Sequence, residues 1–361
     1  MRLNILHITP DFNYACGRSY YVYLLLKYFS QRNHNPVLIT NGGDSLERLE
    51  KLGIKYIINK SLHSKNPVSF AKNVNEIKNI IKDLNIDIVH THHRYSELTG
   101  VRAGKLIRDP KHKSVFTALS IVKRKYNIEY KSDKIIAVSK AVKRMLINKF
   151  NINPSRIKLI PNFTDTDELK YYKPSKSKKT VYNIFSAGRF HPEKNYEILL
   201  EALNYLNDKN IKLTLIGEGA NLAQYQNYIN SHKLNAEILT PRSDLSDYFA
   251  PADVCVLSSK CDPFPNFMLQ AGLFKKPFIG SKVDGISELI INNKNGLLFE
   301  PGDYKKLAEN IILLKENKMK ASSLASALHS DVITHYTQKQ VVPEIEKLYL
   351  DLLKSEQIQS I

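Results

Sequence analysis

The stretch "VYNIFSAGRFHPEKNYEILLEALNYLNDKNIKLTLIGEG", Val181 to Gly219, holds two β-like runs, each closing on glycine, with a helical pattern between them that starts near Pro192. Strand, helix and strand joined by short loops form the unit of a parallel sheet. The same alternation extends downstream through "AEILTP", "DVCVLSS" and "PFIGS". Upstream it runs through "LNILHIT", "NPVLIT", "KYIIN", "DIVHTH", "HKSVFTA" and "KIIAVS", with "SYYVYLLLKYFSQR" as one of the intervening helical patterns. Between the two series, "YYKPSKSKKT" is polar, basic and aperiodic, which marks a linker. The expectation is an α/β protein of two doubly wound, Rossmann-like domains facing a central cleft, because such sheets bind ligands at the C-terminal ends of their strands. The expected division is 1–172, a linker at 173–180, 181–335, and a C-terminal helix within 336–361 that packs back towards the first domain. "PEIEKLYLDLLKSEQ" carries that helix.

Bulk properties narrow the class. A chain of 361 residues with 43% hydrophobic and 24% charged residues is ordinary for a globular protein, and no apolar run approaches a membrane span. "MRLNILHITP" reads as a strand rather than an export signal. Three cysteines, Cys16, Cys255 and Cys261, without ligand spacing, point to a reducing compartment and away from a disulfide frame or a zinc site. The expected location is cytoplasmic. The formal charge of +18 predicts attraction to phosphate-rich partners, and its excess lies between Arg102 and Lys149, which makes peripheral contact with the anionic inner leaflet part of the expectation. A solvated basic face is the alternative reading of that segment. Charge alone carries no nucleic-acid-binding module, so no nucleic-acid partner is expected.

Several stretches carry chemistry. After the strand ending at Gly188, Arg189 and Lys194 supply two cations. A diphosphate leaving group gathers charge as its bond to sugar breaks, so fixed donors there stabilise the transition state, each typically by about 3–4 kcal/mol. An exposed pair at a helix start is the plain alternative. Gly217 and Gly219 in "LIGEGANL" allow close backbone approach. In "CDPFPNFMLQAGLFKKPFIGSKVDGISELI", Asp262 and Gln270 stand eight apart, and the amides of Asn266, Phe267 and Met268 fall near a helix N-terminus, which favours an anion. Gln270 offers donors and an acceptor to a diol such as ribose. Asp165 and Asp167 form a D-x-D triplet that reads as a loop or helix cap rather than a chelating site.

The order of these motifs, from "ILHITPDFNYACGRSYYVYLLLKYFSQRNHNPVLIT" through "DIVHTHH", "IIAVSKAVKRML", "RIKLIPNFTD", "FSAGRFHPEKNYEILLEAL", "LTLIGEG", "YFAPADVCVLSS" and "DPFPNFMLQA" to "GISELIINNKNGLLFEPGD", resembles the retaining glycosyltransferases of family four, which have the GT-B fold. The resemblance spans nearly the whole chain. It implies a retaining, metal-independent hexosyltransferase without a cofactor. The co-substrate would be a nucleotide-diphosphate sugar, UDP or GDP being expected, and the acceptor a glycan or lipid-linked molecule in bacterial surface polysaccharide or lipopolysaccharide synthesis. By the same resemblance, Arg189 and Lys194 grip the diphosphate, Gly17 approaches it from the first loop, Gln270 holds the ribose, Asp262 faces the transferred sugar and Glu288 supports that loop.

Departures from the family pattern bear on specificity. Where two glutamates eight apart are usual, Asp262 shortens the arm by one methylene and Gln270 drops the charge. Leu119 stands where a histidine near the donor sugar is common, and Cys16 and Phe163 replace usual glycines. His92 reads either as a polar group facing the cleft or as a structural residue at a strand end. These changes fit a shifted sugar or acceptor specificity. The alternatives are a non-catalytic homologue that binds a glycan or partner, and a sugar-nucleotide epimerase or phosphorylase of the same architecture.

Overall fold

A computed structural model describes residues 1–107, 112–122, 124, 125, 130–170, 172, 181–240 and 245–357. The elements run β1 (Asn4–Ile8), α1 (Gly17–Gln31), β2 (Asn35–Thr40), α2 (Glu47–Lys51), β3 (Tyr56–Ile58), α3 (Pro67–Asp83), β4 (Ile88–Thr91), α4 (Arg94–Lys105), β5 (Lys113–Ala118), β6 (Lys134–Ala137), α5 (Lys140–Asn148) and β7 (Ile157–Leu159). They continue with β8 (Tyr182–Ala187), α6 (Tyr196–Leu206), β9 (Ile211–Ile216), α7 (Leu222–Ser231), β10 (Ala236–Leu239), α8 (Ser246–Phe249), β11 (Val254–Leu257), α9 (Asn266–Leu273) and β12 (Phe278–Ser281). The last are α10 (Ile286–Leu289), β13 (Leu297–Phe299), α11 (Tyr304–Glu316), α12 (Lys318–His335) and α13 (Gln338–Gln357).

The chain divides into two units. The first holds Met1–Pro161 together with the chain from Gln338, and the second holds Asn162–Thr337. The division therefore falls before the boundary expected at 172, with Asn162 to Lys170 counted in the second unit. The expected linker at 173–180 lies outside the described residues. So do 108–111, 123 and 126–129 of the basic segment.

Each unit is a parallel sheet. Unit 1 has the order β3-β2-β1-β4-β5-β6-β7, and unit 2 the order β10-β9-β8-β11-β12-β13. Parallel strands are covered by helices on both faces, which is why β4, β11 and β12 are buried throughout instead of alternating. Leu6, Ile8, Ile39, Ile77 and Val89 build one core in unit 1, while Ile184, Leu213, Leu215, Val254 and Ile279 build that of unit 2. Helix starts follow local chemistry. Asn66 accepts from Val68 N at 2.8 Å with Pro67 in the first turn, and Asp303 accepts from Lys306 N at 2.9 Å.

Two elements differ from the sequence reading. Strand β7 has only three residues between a proline turn and Ile160-Pro161, too short for a period to show. Helix α13 begins at Gln338, ahead of Pro343, because a proline marks a helix start in sequence but is here carried inside the first turns. Among the described residues no helix is long and apolar enough to cross a membrane. In α5, Ala141, Val142 and Leu146 are buried, so its apolar side is used in the core of unit 1. Ser139 caps that helix by accepting from Val142 N at 3.2 Å.

α13 joins unit 1 through polar contacts as well as packing. Glu346 pairs with Arg32 and with His34 Nε2, the latter at 2.8 Å, and Tyr349 stacks on Phe29. The Tyr349 hydroxyl also lies 2.5 Å from His90 Nδ1. His90 is one of three buried histidines at the C-terminal ends of β1 and β4. Its Nε2 lies 2.6 Å from Thr117 Oγ1, and His7 Nδ1 lies 3.0 Å from His92 Nε2. Candidate ligand atoms of the three rings fall within 4.8 Å of one another. Both nitrogens of His90 are already engaged, so metal binding at this cluster requires breaking a bond to Tyr349 or Thr117. Burial holds His7 down at about 3 and holds His90 and His92 well below the ordinary imidazole range, with the neighbouring rings adding to the shift for the latter two.

These rings are neutral when folded and protonate near 6.5 when unfolded, so the unfolded state binds more protons below that pH. Stability contributed by the cluster is complete above pH 6.5 and is lost as pH falls. Between pH 7 and pH 5 the loss is about 2 kcal/mol for each histidine. Urea unfolding across that interval is expected to show a smaller decline in His92→Gln than in the parent, by roughly that amount for one histidine. Identical slopes would contradict a neutral, buried His92.

Candidate active site

In unit 2 the order of strands reverses between β8 and β11, and the loops leaving their C-terminal ends diverge there. Those loops carry Arg189 and Lys194 after β8, and Asp262 after β11. They are stitched together. Ser258 Oγ donates to the carbonyls of Lys194 and Asn195 at 3.2 and 2.9 Å, and Lys260 N donates to Glu193 O at 2.8 Å. Lys194 Nζ then reaches Asp262 Oδ2 at 2.5 Å. Asp262 is 3% exposed and also accepts from Ser259 Oγ at 3.2 Å, so the carboxylate is held rather than solvated. Arg189 is exposed, and its side chain has no ion-pair partner among the described residues.

The glycines of this face are set by backbone crossing. A Cβ on Gly217 would stand 2.1 Å from Gly188 O, and one on Gly219, at φ +143°, would stand 2.5 Å from Phe190 O. The close approach that requires them is to the β8 loop itself. A Cβ on Gly285 would stand 2.0 Å from Pro263 O, so the bend before α10 runs directly against the Asp262 loop. Glu288 is half-buried in α10.

Helix α9 starts at Asn266 after Pro265, without a side-chain cap. The first amides of a helix have no partner within it and draw anions. Phe267 and Met268 turn their side chains inward, the Phe267 ring centroid lying 5.2 Å from Phe185 and 5.4 Å from Phe249, so only their backbone can serve a ligand. Gln270 is buried, and its Nε2 donates to Glu168 Oε2 at 3.3 Å. Glu168 lies in the 3-10 turn Thr166–Lys170. In that turn Asp165 Oδ1 accepts from Asp167 N at 2.8 Å and Lys170 pairs with Asp167 at 2.8 Å, so the D-x-D triplet shapes its own turn.

In unit 1 the order reverses between β1 and β4. Gly17 opens α1 there and is exposed. The adjacent Arg18 forks onto both oxygens of Asp11 at 2.6 and 2.7 Å. Cys16, with φ −103°, has an extended backbone that any residue adopts. Phe163, the other residue in a usual glycine place, is fully buried in unit 2. His92 is 2% exposed in the histidine cluster, a placement that corrects the reading of an accessible polar group: the end of β4 turns its ring into the core, against His7. Leu119 follows β5 and is half-buried.

Sequence reasoning missed Ser258, Glu168 and Asp284, the last of which sits beside Asp262. Serine and glutamate in polar loops carry no periodic signal. The Gln270 contact has a measurable consequence. Gln270→Glu would set two carboxylates in contact, raising the pKa of one. That variant is expected to lose about 1–2 kcal/mol at pH 7 in urea unfolding. The deficit should shrink as pH falls towards 4 and disappear on adding Glu168→Gln. A stability equal to the parent's at pH 7 would contradict the contact.

Comparison with known proteins agrees with this architecture. The model for Glycosyltransferase Family 4 matches residues 17–168, and that for Glycosyl transferases group 1 matches residues 167–329. The N,N'-diacetylbacillosaminyl-diphospho-undecaprenol alpha-1,3-N-acetylgalactosaminyltransferase of Campylobacter jejuni is 24% identical over 92% of this chain and 95% of its own. The UDP-Gal:alpha-D-GlcNAc-diphosphoundecaprenol alpha-1,3-galactosyltransferase of Escherichia coli is 23% identical over 78% of this chain and 80% of its own. Among solved structures, a glycosyltransferase from Rickettsia africae is 24% identical and matches with a TM-score of 0.80 over 98% of this chain and 99% of that one. Anabaena HepE in complex with UDP and glucose is 18% identical, with a TM-score of 0.80 over 100% of both chains. The two family models meet at residues 167–168, within the first residues of the second unit, and together run from Gly17 to His329, and the chain belongs to the family-four, group 1 glycosyltransferases, with the GT-B fold.

Proposed function

We propose that the protein is a retaining, metal-independent glycosyltransferase that moves a hexosyl group from a nucleotide-diphosphate donor, UDP or GDP, to a glycan or lipid-linked acceptor in bacterial surface polysaccharide or lipopolysaccharide synthesis. The observation that carries this reading is the Lys194–Asp262 pair, with exposed Arg189 in the same loop as Lys194, at the reversal of strand order in unit 2. The names of the relatives support the acceptor class, since the proteins from E. coli and C. jejuni are named for transfer onto diphospho-undecaprenol-linked sugars. Anabaena HepE, crystallised with UDP and glucose, supports the donor class.

In this reading unit 2 holds the donor. Arg189 and Lys194 meet the diphosphate, and the amides of Asn266, Phe267 and Met268 add the positive end of α9. As the bond between anomeric carbon and phosphate oxygen lengthens, charge accumulates on the leaving diphosphate, and the cations bind it more tightly than in the ground state. Two cations perform the neutralising role that a divalent ion has elsewhere. Asp262 faces the transferred sugar and accepts from its hydroxyls while Lys194 holds the carboxylate in place. Gln270, with Glu168 behind it, holds the ribose diol. Gly217 and Gly285 shape the loops, and Glu288 supports the second of them. His92 acts behind that surface by fixing the end of β4. The acceptor is assigned to unit 1, and the basic segment Arg102 to Lys149 would meet its phosphates or the anionic leaflet at the cytoplasmic face.

The test is calorimetric titration of UDP, GDP, ADP and dTDP with EDTA present, on the parent and on Arg189→Ala plus Lys194→Ala. Selective binding of UDP or GDP is expected, weakened at least about 100-fold in the double variant, since each charge-assisted contact is worth about 1.5–3 kcal/mol. Binding that needs a divalent ion, or that ignores the double substitution, would overturn the donor assignment. Retention is read separately from the anomeric configuration of the product by NMR.

A further inference from the structure

We propose that Asp284 is a positioning residue that fixes the Asp262 carboxylate for sugar transfer, an inference that rests on the donor-site reading above. Asp262 has a shorter arm than the glutamate usual at its place, so the position of its backbone decides where its oxygens lie. Both polar groups of that backbone are held by two consecutive residues. Asp284 Oδ2 accepts from Asp262 N at 3.2 Å, and Gly285 N donates to Asp262 O at 3.0 Å. No side chain fits at Gly285, whose Cβ would stand 2.0 Å from Pro263 O, so the carboxylate that reaches Asp262 comes from residue 284.

Asp284 adopts φ +32°, in the left-handed region that is unfavourable for an L residue. Glycine would occupy this turn at lower backbone cost. What aspartate adds is its carboxylate, and that carboxylate serves the Asp262 loop from two sides. Besides Asp262 N, it accepts from the Cys261 thiol, which burial and then this bond push up to about 12. The loop residues on either side of the Cys261–Asp262 peptide are thus tied to one carboxylate. On its other flank, Asp262 is tied to Lys194 and Ser259. The result is a carboxylate fixed from its backbone and from its head group. A group that must meet a developing transition state within a fraction of an ångström requires that fixation.

The experiment compares Asp284→Gly, Asp284→Asn and Asp262→Asn in the full chain. Turnover is read as UDP release from UDP-glucose, UDP-galactose and their N-acetylhexosamine counterparts, binding as the Kd for UDP, and folding as Tm. Asp284→Gly is expected to lower kcat at least about 10-fold with donor KM, the Kd for UDP and Tm unchanged, because the backbone is relaxed while the hold on Asp262 is lost. Asp284→Asn keeps an oxygen acceptor and is expected to restore most of kcat. A crystal structure of Asp284→Gly supplies a readout independent of the sugar chosen, with the Asp262 carboxylate expected to be displaced from Lys194.

An unmoved Asp262 in that structure, or parental kcat in Asp284→Gly where Asp262→Asn abolishes turnover, would overturn the positioning role while leaving the site reading intact. A raised KM at unchanged kcat would make Asp284 a substrate contact and would also overturn it. Parental turnover in Asp262→Asn would instead remove the reading on which the proposal rests.

Discussion

A lysine and a buried aspartate from two different loops meet at the point where the second sheet reverses its strand order, and the rest of the site is arranged around that contact. A carboxylate with 3% exposure is costly to leave unpaired, so Lys194 has to stand where it does, and the loop that carries it has to be pinned. Ser258 does the pinning by donating to two consecutive carbonyls of that loop. Gly217 and Gly219 allow the neighbouring backbones to cross at distances no side chain would permit. The cation is therefore pre-placed beside the group proposed to face the sugar, and a second cation, Arg189, stands exposed in the same loop. In the proposed donor site an arriving diphosphate would compete with Asp262 for Lys194. The same ammonium can then bridge the carboxylate and the leaving group as charge passes from sugar to phosphate.

The histidine cluster of unit 1 occupies the corresponding reversal between β1 and β4, yet its chemistry is of another kind. Here burial dominates: the rings are neutral, bonded to one another, to Thr117 and to Tyr349, and they tie α13 to the ends of β1 and β4. The two units share a topology and place opposite demands on their polar residues at the same topological position.

The fold was legible because parallel strands covered on both faces must read as short apolar runs, and βα loops must be short. "NPVLIT" coincides with β2, "VYNIFSAG" contains β8, and "KLTLIG" covers all of β9 except Ile211. β7 escaped because three residues carry no period, and the start of α13 because Pro343 reads as a beginning. Of the proposed site, Arg189, Lys194 and Asp262 stood out by residue type and spacing. What could not be read was the direction of a side chain at a strand end, which decided the burial of His92, and the contacts between loops distant in sequence. Glu168 lies far upstream of Gln270, and no local pattern links them. Asp284 resembled any aspartate before a glycine at a bend, and its left-handed φ and its bond to Asp262 exist only in the folded chain.

The central claim is that the loops after β8 and β11 form the diphosphate and sugar site of unit 2. A crystal structure of the protein with UDP bound in EDTA tests it most directly. The account predicts diphosphate oxygens within hydrogen-bond distance of Arg189 and Lys194, with the ribose against Gln270. A nucleotide bound elsewhere, with Lys194 still engaged only by Asp262 and Arg189 left in solvent, would contradict it.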